Sequence, residues 1–158
     1  MKILSVSDLE MGFLYSPRIA ERFYDVDMII SCGDLPYYYL EYMISMLNIP
    51  LYYVRGNHAA QVESGFGGDR THPWGAVDMH RRVVEDDTGL LLAGIEGSLQ
   101  YNNGPHQYNQ DEMWWMVWML VPQLFFNRIR FGRYLDIFIT HAPPFGIHDR
   151  DDRPHQGI

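Results

Sequence analysis

An α/β architecture, with helices on the faces of a β-sheet, follows from three features of this sequence. Short apolar runs end abruptly in polar or glycine residues. Helix-like segments separate those runs. Acidic, amide and imidazole side chains gather where the runs end.

The first run, Ile3–Val6, passes into Ser7-Asp8. Residues 28–30 pass into Gly33-Asp34, and residues 51–54 into Gly56-Asn57-His58. Residues 90–95 lead to Glu96-Gly97, and residues 137–139 to Thr140-His141. Continuous runs of this length, rich in Ile, Val, Leu and Tyr, suit strands covered on both faces. Between them, Ser16-Pro17 places a capping hydroxyl before a first-turn proline and predicts a helix toward Phe23. A second helix is expected over residues 35–47, with Asp34 and Pro36 at its start. A third begins with the acceptors of Asn109-Gln110-Asp111-Glu112, continues through three tryptophans, and meets Arg128, Arg130 and Arg133 near its end. Those charges match the helix macrodipole at both termini.

The chain has 158 residues, enough for one domain with a sizeable core, and the whole of 1–158 is read as a single domain. Its 47% apolar and 20% charged residues are ordinary for a globular protein. A net charge of −8 argues against wrapping nucleic acid, which needs a Lys/Arg surplus. It leaves a phosphate substrate open, because bound cations supply their own local positive charge. The lone Cys32 permits no intramolecular disulfide and no cysteine-rich zinc site; it reads as a small core residue on a buried strand. The amino terminus is too short in apolar residues for an export signal, so a cytoplasmic location is the expectation. Residues 113–126 are strongly apolar but shorter than the roughly 20 residues that span a bilayer, which predicts a buried or partner-facing helix. Their apolar residues run nearly all the way round, so the helix is expected to pack on a second subunit or on a further carboxyl-terminal segment.

In α/β sheets, ligands bind beyond the carboxyl ends of the strands, where Asp8, Asp34, Asn57 and His141 fall. Each has a plainer reading alone: Asp34 as a helix cap, Asn57 as a turn residue, His141 as a strand end. Four such residues on one edge point instead to one shared site. Two carboxylates with an amide oxygen and an imidazole form a ligand set for paired divalent cations.

The blocks Ser7-Asp8-Leu9-Glu10, Cys32-Gly33-Asp34, Arg55-Gly56-Asn57-His58 and Thr140-His141-Ala142-Pro143-Pro144 resemble, in order and spacing, those of the calcineurin-like metallophosphoesterases. The resemblance implies a layered β-sheet core flanked by helices, and hydrolysis of a phosphomono- or diester by a metal-bridging hydroxide. It makes Asp8 a ligand of the first metal, Asp34 the bridge, and Asn57 and His141 ligands of the second. His58 becomes the acid for the leaving group or a phosphate contact. Manganese, iron or zinc suits the set.

Two departures stand out. The family's first block reads Asp-x-His, and here Glu10 holds the third position, expected to ligate through oxygen. The family also closes its site with a Gly-His-x-His block, which this sequence does not reach before Ile158. Missing carboxyl-terminal strands are the expectation, with recruitment of His148 or His155, or ligands from a partner chain, as alternatives. Both departures also fit an inert scaffold serving as a protein-binding or assembly module. His72, His80 and His106 lie outside the matched blocks and read as loop or surface residues. Residues 59–78 read as a long loop, either a lid or a disordered insertion.

Overall fold

A computed structural model describes residues 1–65, 68–144 and 146. The chain opens with β1 (Ile3–Val6), α1 (Ile19–Arg22), β2 (Met28–Ser31), α2 (Tyr37–Leu47) and β3 (Leu51–Tyr53). It continues through β4 (Glu63–Gly65), β5 (Gly68–Arg70), β6 (Val77–Asp78), β7 (Arg82–Glu85) and β8 (Leu91–Ile95). It closes with β9 (Ser98–Leu99), β10 (Gln107–Tyr108), α3 (Gln110–Phe131) and β11 (Ile137–Thr140).

One sheet has the order β1-β2-β3-β6 with every pairing parallel. A second has the order β11-β8-β7, in which β11 runs parallel to β8 and β7 antiparallel to it. Side-chain alternation shows how they stack. Ile29, Leu51 and Tyr53 point to one side and pack with Ile19, Leu40 and Met43 of α1 and α2. Met28, Ile30, Tyr52 and Val54 point to the other and meet Leu92 and Ile139 of the second sheet. The far side of that sheet, with Val83, Ala93 and Ile95, packs on Met113, Met116 and Leu120 of α3. The result is four layers, helix-sheet-sheet-helix: β2, β3 and β8 are buried on both faces as expected, whereas the edge strands β1 and β11, expected to be covered likewise, leave Ile3 and Phe138 exposed.

Helix starts depart from expectation in an informative way. The helix expected from Ser16 begins only at Ile19, because the Ser16 hydroxyl accepts from the Arg18 N–H (3.3 Å) and donates to the Phe13 carbonyl (3.4 Å). That is a local turn competing with a cap. Asp34 does not cap α2 either. The Tyr37 N–H donates instead to both Glu63 carboxylate oxygens (2.9 and 2.8 Å), which leaves Asp34 free to face the strand-end edge. The stretch 59–78 is not a plain loop: β4 and β5 pair there as an antiparallel hairpin that delivers Glu63, and β6 joins the first sheet. Helix α3 has the expected reciprocal cap between Asn109 and Glu112, continues through Pro122, and ends on Gly132 at φ 75°, a left-handed position that favours glycine. Cys32 lies just past β2 and is half-buried.

Candidate metal centre

Asp8 follows β1, Asp34 follows β2, Asn57 follows β3 and His141 follows β11, so loops at one edge of both sheets converge. Together with His58, Tyr101, Ala142 and Pro143 they line a cavity of about 300 Å³. Ligand atoms of Asp8, Asp34 and His141 all lie within 4.8 Å of one another. Both aspartates sit at positive φ, 61° for Asp8 and 56° for Asp34. A left-handed backbone costs a non-glycine residue about 1–2 kcal/mol, least for Asp and Asn, and such strain concentrates at functional sites. Gly56 is required here by contact: a Cβ on it would stand 2.1 Å from Asp34 Oδ1.

Hydrogen bonds around this edge orient the His141 and Asn57 ligand atoms inward. His141 Nδ1 donates to the Cys32 carbonyl (2.8 Å), leaving the lone pair of Nε2 toward the cavity. Asn57 Nδ2 donates to the Tyr101 hydroxyl (2.8 Å), which turns Oδ1 toward His141. Oδ1 and Nε2 then stand 2.7 Å apart, with Asp34 Oδ2 3.4 Å from the same nitrogen. Three acceptors converge with no hydrogen of their own between them, and only a proton or a cation satisfies all three. The donor set is carboxylate, amide oxygen and imidazole on side chains that are mostly buried, and it fits a borderline divalent cation.

His58 lies at the cavity mouth. Its backbone N–H donates to Asp34 Oδ1 (2.9 Å), and its ring Nε2 is 3.3 Å from the Tyr101 hydroxyl. Tyr101 is a residue that sequence reasoning missed. It contacts both Asn57 and His58 from a loop 43 or more residues away, and no local pattern marks it. Glu10 is not brought into the cluster. Its carboxylate accepts from the Tyr38 hydroxyl, whose pKa that bond pushes up to about 12. His148 and His155 lie outside the described residues.

Two of the histidines expected in loops or at the surface, His80 and His106, turn their side chains inward. His80 and His106 flank the buried carboxylate of Glu96, at 3.7 and 3.0 Å. Glu96 also accepts from the Tyr108 hydroxyl (2.6 Å) and pairs with Arg55 (3.4 Å), which reaches Asp78 at 2.7 Å. Burial alone would raise the Glu96 pKa; the bonds from His106 and Tyr108 and the two imidazoles overcome it and hold the value down at about 2.

Against known protein families, residues 1–156 match the calcineurin-like phosphoesterases. The chain belongs to that family. Among the curated proteins, none matches this chain. Four solved chains match it. One crystal structure superposes with a TM-score of 0.60 at 13% identity, over 99% of this chain and 76% of the other. Another, of TT1561 of Thermus thermophilus, gives a TM-score of 0.57 at 18% identity, over 97% of this chain and 72% of the other. Membership of the calcineurin-like phosphoesterases supports a metallophosphoesterase-type function, and members generally bind divalent metals. Among the described residues, no helix is long and apolar enough to cross a membrane.

Proposed function

We propose that this chain, acting as a single domain, hydrolyses a phosphomono- or diester in the cavity between Asp8 and His141. The observation that carries this reading is the convergence of Asp8, Asp34 and His141 within 4.8 Å, with the Asn57 oxygen turned onto His141 and no donor between them. Asp8 and Asp34 would hold one divalent cation, and Asp34, Asn57 and His141 a second. Bound cations at such a site lower the pKa of water and neutralise charge on the ester. Asp34 also holds the His58 loop through the backbone N–H of that residue, so the proton source and the ligands share one frame. As water oxygen bonds to phosphorus and the ester P–O bond breaks, His58 passes a ring proton to the departing oxygen, and the proton shed by the attacking water leaves to solvent, from which the His58 ring is reprotonated. Tyr101 keeps both Asn57 and His58 in register.

A second reading has its own observation. Glu10, where the family carries a histidine, is turned onto Tyr38, so the position of the first cation has fewer ligands. The chain would then be an inert scaffold holding one cation and serving as an assembly module. Metal content by elemental analysis, beside hydrolysis of bis(p-nitrophenyl) phosphate, separates the two. About two metals with turnover, both lost in Asp34→Ala and Asn57→Ala, is the outcome expected. Turnover indifferent to both substitutions defeats the assigned roles, and one metal without turnover selects the scaffold.

A further inference from the structure

The outer face of α3 is the largest feature that the hydrolytic reading leaves unexplained. The helix buries Met113, Met116 and Leu120 against the second sheet and turns the opposite arc to solvent. Trp115 is 68% exposed, Trp118 61% and Ile129 84%, with Trp114, Phe125 and Phe126 about half exposed. Aromatic side chains offer about 150–250 Å² each, so these five half-exposed rings alone present on the order of 600 Å². That matches or exceeds the largest apolar patch of a typical monomer. With Met119 and Ile129 added, the face reaches roughly the 800 Å² per partner of a standard protein interface.

We propose that this face joins two copies of the chain, with the α3 helices packed antiparallel about a two-fold axis passing near Pro122. Charge selects this occupant. Asp111 and Glu112 lie in the first turn, and Arg128 and Arg130 in the last. Glu112 and Arg130 are five turns apart at ~3.6 residues per turn, and so lie on the same flank of the apolar arc. A two-fold axis across an antiparallel pair brings each flank against the same flank of the other copy, reversed. Glu112 of one copy then faces Arg130 of the other, twice. Parallel pairing would instead set acid on acid and arginine on arginine. Pro122 falls midway between the charged ends, and Trp118 meets the Phe125-Phe126 pair across it. A lipid surface fits less well, because the net charge is −8 and the basic residues of α3 are confined to its last turn.

The test uses the full 158-residue chain in sedimentation equilibrium from about 1 to 100 μM. A species of twice the 18.5 kDa chain mass is expected. Trp118→Glu should raise its dissociation constant at least ~100-fold, with unchanged circular dichroism and a melting temperature equal to that of the parent chain diluted to monomer, since the side chain is already exposed. Geometry is read by oxidative cross-linking. Pro122→Cys should link to its own copy, Trp114→Cys should not, and a mixture of Trp114→Cys with Ile129→Cys should. A monomer at every concentration, including one whose tryptophans are shielded by the chain's own carboxyl-terminal residues, overturns the proposal. So does a dimer indifferent to Trp118→Glu, or self-linking at position 114.

Discussion

Two clusters of histidine and carboxylate lie near the same strand-end edge, and they are built in opposite ways. Around Glu96 the acceptors are matched by donors: Arg55, Tyr108, His106 and His80 all turn toward one carboxylate. In the cavity, Asp8, Asp34, Asn57 and His141 present acceptors to one another, and the donors nearby are spent on orienting them. The first cluster closes around its carboxylate and satisfies it, with only His106 Nε2 left buried and unpartnered beside it, and holds the fold; the second is open and calls for a cation. A count of ionisable residues does not distinguish them. The balance of donors and acceptors does. Arg55 links the two, since it pairs with Glu96 and Asp78 only two residues before Asn57, while its carbonyl accepts from the Gly97 N–H (2.8 Å).

The largest expected effect comes from forcing the open cluster apart. Gly56→Ala would place a Cβ against Asp34 Oδ1, so that carboxylate must move. Metal content and kcat/KM toward an aryl phosphate diester should fall together, the latter by roughly 10³-fold, because ligand and reacting atoms tolerate little displacement. Elemental analysis and steady-state kinetics on the same preparation check it; retained metal with retained turnover would break the comparison on its open side.

The closed cluster should answer in stability. Glu96→Gln keeps the shape but removes the charge that His106, Tyr108 and Arg55 share, and a loss of about 2–4 kcal/mol is expected in urea unfolding. Acid sharpens the contrast. Its partners hold the folded Glu96 carboxyl down at about 2 against an ordinary 4.5, so its stabilisation is complete above 4.5 and drains away as pH falls toward about 2. His80 adds to the same trend at higher pH. Burial lowers its pKa below 6.5 despite the opposing Glu96, so protonating it works against folding as pH drops under that value. In Glu96→Gln, the unfolding free energy should lose the part of its slope between 4.5 and about 2 that Glu96 supplies, leaving that of Asp136, which is also held below its ordinary value. An unchanged slope would move the acid sensitivity elsewhere.

The smallest effect is reserved for Tyr101→Phe. The ring stays, while the hydroxyl that holds the Asn57 amide and touches the His58 ring is lost. About a 10-fold fall in kcat/KM is expected, with melting unchanged within experimental error. A fall in stability as large as that of Glu96→Gln would place Tyr101 with the closed cluster instead.

Much of this was legible beforehand for physical reasons. Strands covered on both faces are written as continuous apolar runs, so β2, β3 and β8 could be read one by one, while the edge strand β11 carries the same kind of run with Phe138 left exposed. Asp8, Asp34, Asn57 and His141 stood out because each follows such a run within a few residues. The start of α2 was misread because its cap, Glu63, comes from a hairpin 26 residues away. The inward turn of His80 and His106 was not legible because their partner, Glu96, is reached only when β8 and the segments on either side of it meet.

The sequence by itself determined the period of each element and the kinds of atom delivered to the strand ends, since both depend on neighbours a few residues away. Only the tertiary structure decided which acceptors would be satisfied. It turned Glu10 to Tyr38, gave Glu96 its donors, placed Tyr101 over Asn57, and left the aromatic arc of α3 in solvent. Hydrogen bonding and burial are properties of what surrounds a side chain, and those surroundings come from segments far apart along the chain.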